Sequence, residues 1–190
     1  MGLLAASLIY AHAGMSLEEV KLFEDSKSKA EQGDTTAQSS LGECYMNGDG
    51  VAQDFKKAFF WFEKAAIGGD ANAQSELGNC YGKGFGVEKN EKLAASWRLK
   101  AALQGNSYAQ YNVAISLMYG EGLAKDEVEA YAFLNLSCTS DRPSVIRRAK
   151  VALADLEKKI SRNEIAEGQK RTKELQKEIE EKIAAKKARK

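Results

Sequence analysis

The chain has 190 residues, 44% apolar and 29% charged, which fits one domain or one short repeat array of an ordinary globular protein. With 28 basic against 27 acidic side chains, its charge gives no reason to expect nucleic acid or an anionic membrane as partner. There is one proline, Pro143, and Ala, Glu, Lys and Leu are frequent, which points to an all-α fold.

Residues 1–13 open with an apolar run, Leu3 to Tyr10, followed by Ala11-His12-Ala13. A short apolar region ending in an A-x-A pattern is the layout of a secretory signal peptide. No Lys or Arg precedes the run, so the reading is of a truncated signal peptide, with the start placed too far downstream. The competing reading is an N-terminal helix that docks on the rest of the chain. The run is too short for a bilayer, which takes ~20 apolar residues, and no other segment is long enough, so no stable membrane anchor is expected. A periplasmic or secreted location follows from the first reading, a cytoplasmic one from the second.

Residues 14–32 carry Leu17, Val20, Phe23 and Ala30 and read as an N-terminal capping helix running into Gly33. Residues 33–139 are a repeat. Gly33-Asp-Thr-Thr-Ala37-Gln38 returns as Gly69-Asp-Ala-Asn-Ala73-Gln74 and as Gly105-Asn-Ser-Tyr-Ala109-Gln110, each 36 residues on and without a gap. Leu41, Leu77 and Val113 correspond, as do Tyr45, Tyr81 and Leu117. So do Gly48-x-Gly50-Val51, Gly84-x-Gly86-Val87 and Gly120-x-Gly122-Leu123.

One unit predicts a helix pair. Ala37, Leu41 and Tyr45 share a face of a first helix from about Thr35 to Asn47. The Gly-x-Gly segment ends it, and Asp54, Asn90 and Asp126 stand where a second helix needs its N-cap. Ala58, Trp61, Phe62 and Ala65 form the buried stripe of that second helix, which runs to Ile67. A lone helix pair cannot bury its apolar face, so stacking of about three units is required.

The pattern A-x-x-x-L-G-x-x-Y-x-x-G-x-G-V stands intact at Ala37 to Val51 and at Ala73 to Val87, followed by Lys64-Ala65-Ala66 and Lys100-Ala101-Ala102. It resembles the Sel-one-like repeat family, relatives of the tetratricopeptide repeat. The third unit departs from it by apolar replacements, Val113, Ala114 and Leu117. The resemblance implies a right-handed α-solenoid of antiparallel helix pairs, three repeats with capping helices at both ends, that scaffolds protein complexes. Secreted cysteine-rich members of the family have been linked to penicillin binding and β-lactam hydrolysis. They carry a cysteine pair per repeat, which this chain lacks.

Residues 140–160 predict a C-terminal capping helix with Val145, Ala149, Ala152, Leu153 and Leu156 on its apolar face. Residues 161–190 begin with the capping-box pattern Ser161-Arg-Asn-Glu164 and continue rich in Glu and Lys. Their stripe of Ile165, Thr172, Leu175, Ile179 and Ile183 is thin. A solvated helical tail is the favoured expectation, a docking or coiled-coil helix the alternative.

Little here suggests catalysis. His12 is the single histidine and lies in the apolar leader, which leaves no Ser-His-Asp or Cys-His pair and no histidine zinc site. Cys44, Cys80 and Cys138 are odd in number and widely spaced, so unpaired thiols are expected. The Gly-x-Gly loops lack the P-loop order. No catalytic residue, metal site or cofactor is assigned.

Binding is the remaining class. Core positions of the first helices recur while another face varies. In tetratricopeptide-like arrays that face lines a concave groove. It carries Thr36, Ser39, Glu43 and Asn47 in the first unit, and Asn72, Ser75, Asn79 and Lys83 in the second. The third carries Tyr108, Tyr111, Ile115, Met118 and Tyr119. Tyrosine and methionine are enriched at interfaces, so a partner protein or peptide is expected at the third-unit end. The alternative is that the C-terminal helices fold over these side chains and bury them as core.

Overall fold

A computed structural model describes residues 16–188, and the leader reading, with His12, lies outside them. Nine α-helices and no strand occur among the described residues: α1 Leu17–Glu31, α2 Thr35–Asn47, α3 Phe55–Ile67, α4 Ala71–Lys83, α5 Glu91–Ala102, α6 Ser107–Tyr119, α7 Glu127–Cys138, α8 Pro143–Glu157 and α9 Arg162–Lys187. The fold is all-α, of the repeat-solenoid class. The chain divides into two compact units at Lys89 and Asn90, so α1–α4 form the first and α5–α9 the second.

Local chemistry sets the helix ends. Asp34, Asp70 and Asn106 cap α2, α4 and α6, accepting from the amides of Ala37, Ala73 and Ala109 at 2.8, 2.7 and 2.9 Å. Asp54, Asn90 and Asp126 cap α3, α5 and α7 as expected. The first glycine of each Gly-x-Gly segment takes the left-handed conformation that ends a helix, φ 85° at Gly48 and 74° at Gly84 and Gly120. The second glycine is also left-handed and permits close packing as well, since a Cβ on Gly86 or Gly122 would collide with the backbone carbonyl of Phe55 or Glu91. These loops therefore bring two turns of backbone into contact within each unit.

The Ala-Gln pair of each repeat also has a structural use. Buried Gln38, Gln74 and Gln110 donate through Nε2 to the carbonyls of Ala30, Ala66 and Ala102 at 3.2, 3.1 and 3.3 Å. Each glutamine thus adds a donor to a carbonyl in the last turn of the preceding helix, where the regular i+4 amide is missing.

The first unit packs Leu41, Phe62 and Leu77 out of solvent, with Phe23 edge-on to Tyr45 at 5.5 Å and Phe59 edge-on to Tyr81 at 5.4 Å. Trp61 lies at the margin of its stripe, half-buried, with the Lys64 Nζ 5.1 Å above its ring. Leu17, placed on the inner face by its spacing, is exposed because it sits in the first turn of α1.

The second unit is built on Val113, Leu117, Phe133, Leu134, Leu156 and Leu175. Here the favoured expectation for residues 161–190 fails: α9 is not a solvated tail. Leu175 is 1% exposed and Ile179 6%. Gly168 allows the approach, since a Cβ there would strike the ring of Tyr131 on α7. Arg171 then grips Glu129 of α7 with two bonds, Nε to Oε2 at 2.7 Å and Nη2 to Oε1 at 3.2 Å. A count of apolar residues misses both devices, which is why the stripe read as too thin to dock.

Candidate functional site

α8 begins at Pro143, 36 residues after the start of α6 at Ser107. It therefore stands as the first helix of a fourth, incomplete repeat, while α9 packs back along α7, through Gly168 against Tyr131 and Arg171 to Glu129. Positions that face the groove on α6 recur on α8: Arg147 follows Tyr111, Val151 follows Ile115 and Asp155 follows Tyr119.

A groove of about 340 Å³ runs between these helices. Tyr111, Ile115, Met118 and Tyr119 line it from α6. Arg147, Arg148, Val151, Ala152 and Asp155 line it from α8, with Lys159 just beyond. Met118 is buried and belongs to both floor and core. Tyr111 and Ile115 are half-buried. Tyr119 and Val151 remain 62% and 61% exposed, so α8 flanks the groove without covering it. Tyr108 is half-buried and does not line it. The volume falls at the low end of ligand-sized pockets, roughly 300–1,000 Å³.

The expected residues of the first unit fare differently. Glu43, Asn47 and Lys83 are exposed. The Asn47 amide donates to Asp49 Oδ2 at 3.0 Å, and the Lys83 Nζ lies 5.5 Å from the Phe85 ring centroid. Asn79 is a correction: it is 8% exposed, and its amide turns back along its own helix to Glu76 at 3.3 Å. Ser39 and Ser75 are buried too. Ser39, Ser75 and Asn79 sink against the helix, whereas at the equivalent positions of α6 bulky Tyr111 and Ile115 keep part of their surface in solvent.

The α8 residues were missed by sequence reasoning. The 36-residue step to Pro143 is the signal that would have found them. It is masked because α8 has no Gly-x-Gly ending.

Burial pushes the Cys80 thiol up to about 12, and it raises those of Cys44 and Cys138. All three are free thiols, and a buried protonated thiol is a poor nucleophile. Among the described residues no cluster of three or more His, Cys, Asp and Glu could hold a metal ion. None of the described helices is long and apolar enough to cross a membrane.

The comparisons agree with the repeat fold. The Sel1 repeat family model matches residues 35–70, 71–106 and 107–141. Among solved structures, a Sel1 repeat protein from Oxalobacter formigenes is 38% identical with TM-score 0.59, over 67% of this chain and 96% of that one. The protective antigen c5321 of uropathogenic Escherichia coli, which displays an SLR fold, is 28% identical with TM-score 0.63 over 88% of this chain. This chain spans 43% of that antigen's length. Helicobacter pylori cysteine rich protein B shares the fold at 19% identity and TM-score 0.54, over 68% of this chain and 93% of that one. No curated protein gives a match. Sel1 repeats generally serve as non-catalytic scaffolds for protein interaction. Three contiguous repeat matches over more than half the sequence place this chain in the Sel1 repeat family.

Proposed function

We propose that the protein is a non-enzymatic adaptor that holds a segment of a partner protein in the groove between α6 and α8. The observation that supports this most is the open groove itself. Aromatic and aliphatic surface of Tyr119 and Val151 stays in solvent beside the half-buried Tyr111 and Ile115. Tyrosine is enriched among the residues that contribute most at interfaces. Export to the periplasm or beyond belongs to the same proposal and rests on the Leu3 to Tyr10 run.

The test is co-purification of partners with wild-type protein and with Tyr119→Ala/Val151→Asp. Both side chains are exposed, so the variant should keep its melting temperature while its specific partners are lost. Partners retained in full by the variant would defeat the groove reading. Nitrocefin hydrolysis by the purified protein would defeat the non-enzymatic part, and recovery from the cytoplasm alone after cell fractionation would defeat export.

A further inference from the structure

The two walls of the groove differ in chemistry. α6 brings the apolar side through Tyr111, Ile115 and Met118. α8 brings cations: Arg147 and Arg148 line the groove, and Lys159 closes one end. None of these three forms an ion pair among the described residues. The one acid on the lining, Asp155, is engaged by Lys158 at 3.0 Å. Residues 142–160 hold six basic side chains against two acidic ones, within a chain whose net charge is +1. Three of the six, Arg147, Arg148 and Lys159, line the groove.

Unpaired arginines beside an apolar floor define a ligand. A guanidinium presents a planar fork of donors that matches a carboxylate, and it stays charged at any physiological pH. The floor requires an aromatic or aliphatic side chain. Phosphate surfaces fit less well, because nucleic acids and anionic bilayers are met by broad basic faces, and this groove is narrow with an apolar bottom.

We propose that the α6–α8 groove recognises an acidic linear segment of a partner protein, in which an aromatic or aliphatic anchor is flanked by Asp or Glu. This rests on the groove being the partner site. Exposed ion pairs each contribute little, so the anchor supplies affinity while the charges select the sequence and speed encounter.

The experiment is selection of random phage-displayed dodecapeptides on the full chain. Fluorescein-labelled winners are then titrated by anisotropy against wild type, Arg147→Glu/Arg148→Glu and Tyr119→Ala/Val151→Asp, with circular dichroism melts as the folding control. The expected winners place acidic residues around one aromatic or aliphatic residue. Charge reversal should weaken them at least ~10-fold, and wild-type binding should weaken several-fold between about 50 and 300 mM NaCl. Neutral or basic winners, or acidic winners indifferent to charge reversal, overturn the proposal. If such winners still fail on Tyr119→Ala/Val151→Asp, the acidic preference is wrong while the groove stands as a site. If no peptide is selected, or none responds to either variant, both are wrong. Tighter binding to a DNA duplex or to phosphatidylserine vesicles than to any winner assigns the cations to phosphate, which also overturns it.

Discussion

The same face of the first helix has two fates in this molecule. In the first unit it is polar: Ser39, Ser75 and Asn79 are buried, while Thr36, Glu43, Asn47, Asn72 and Lys83 stay exposed, and Asn47 is tied to Asp49. In the second it is bulky and apolar, with Tyr111, Ile115 and Tyr119 on α6 facing Arg147 and Val151 on α8. Yet the residues that build the helices are equivalent in both, from the aspartate or asparagine caps to the buried glutamines. The repeat holds the frame constant, and the side chains free of that duty carry the difference.

The shared frame gives effects among the largest expected. Gly86→Ala and Gly122→Ala should each cost about 3 kcal/mol, since each combines positive φ with a backbone collision. Urea denaturation should find the two losses alike. A harmless Gly122→Ala beside a damaging Gly86→Ala would show that the frame differs between units. Next comes the helix found in the second unit alone. Leu175→Ala should cost ~2–5 kcal/mol and raise hydrogen exchange along α9, because the side chain is fully packed. Arg171→Ala should cost about 1 kcal/mol in the same melt, since its pair with Glu129 is partly solvated.

The smallest effect concerns pH. The amide and hydroxyl of Ser161 hold the Glu164 carboxyl below its ordinary range. A carboxylate depressed in the folded state contributes above its unfolded pKa and loses that contribution as pH falls through the folded value. Glu164→Ala should therefore fray the first turn of α9 near neutral pH, measured by amide NMR. Wild type should approach the variant as acid protonates the carboxylate. Equal fraying at every pH would remove the capping box from the account.

Legibility in the sequence follows the same division. The bounds of α2 and the caps Asp54, Asn90 and Asp126 were readable because they recur, and recurrence separates structural duty from accident. The docking of α9 was not, because it depends on a glycine and an arginine, Gly168 and Arg171, which hydrophobic periodicity does not score. Four of the five third-unit residues line the groove, but its cationic wall was hidden: α8 keeps the repeat spacing and discards the repeat motif. Asn79 shows the limit of reading a face from spacing, since an amide can fold back and disappear into the packing.

The most direct test sets one position of the two faces against its equivalent. Asn47 and Tyr119 occupy the same repeat position, and both are exposed. Asn47→Ala and Tyr119→Ala should each shift stability by less than about 0.5 kcal/mol. In an anisotropy titration with a peptide selected on the wild type, Tyr119→Ala should weaken binding ~10-fold or more and Asn47→Ala should leave it unchanged. Equal affinities for the two variants, or a loss confined to Asn47→Ala, would contradict the assignment of binding to the α6–α8 groove.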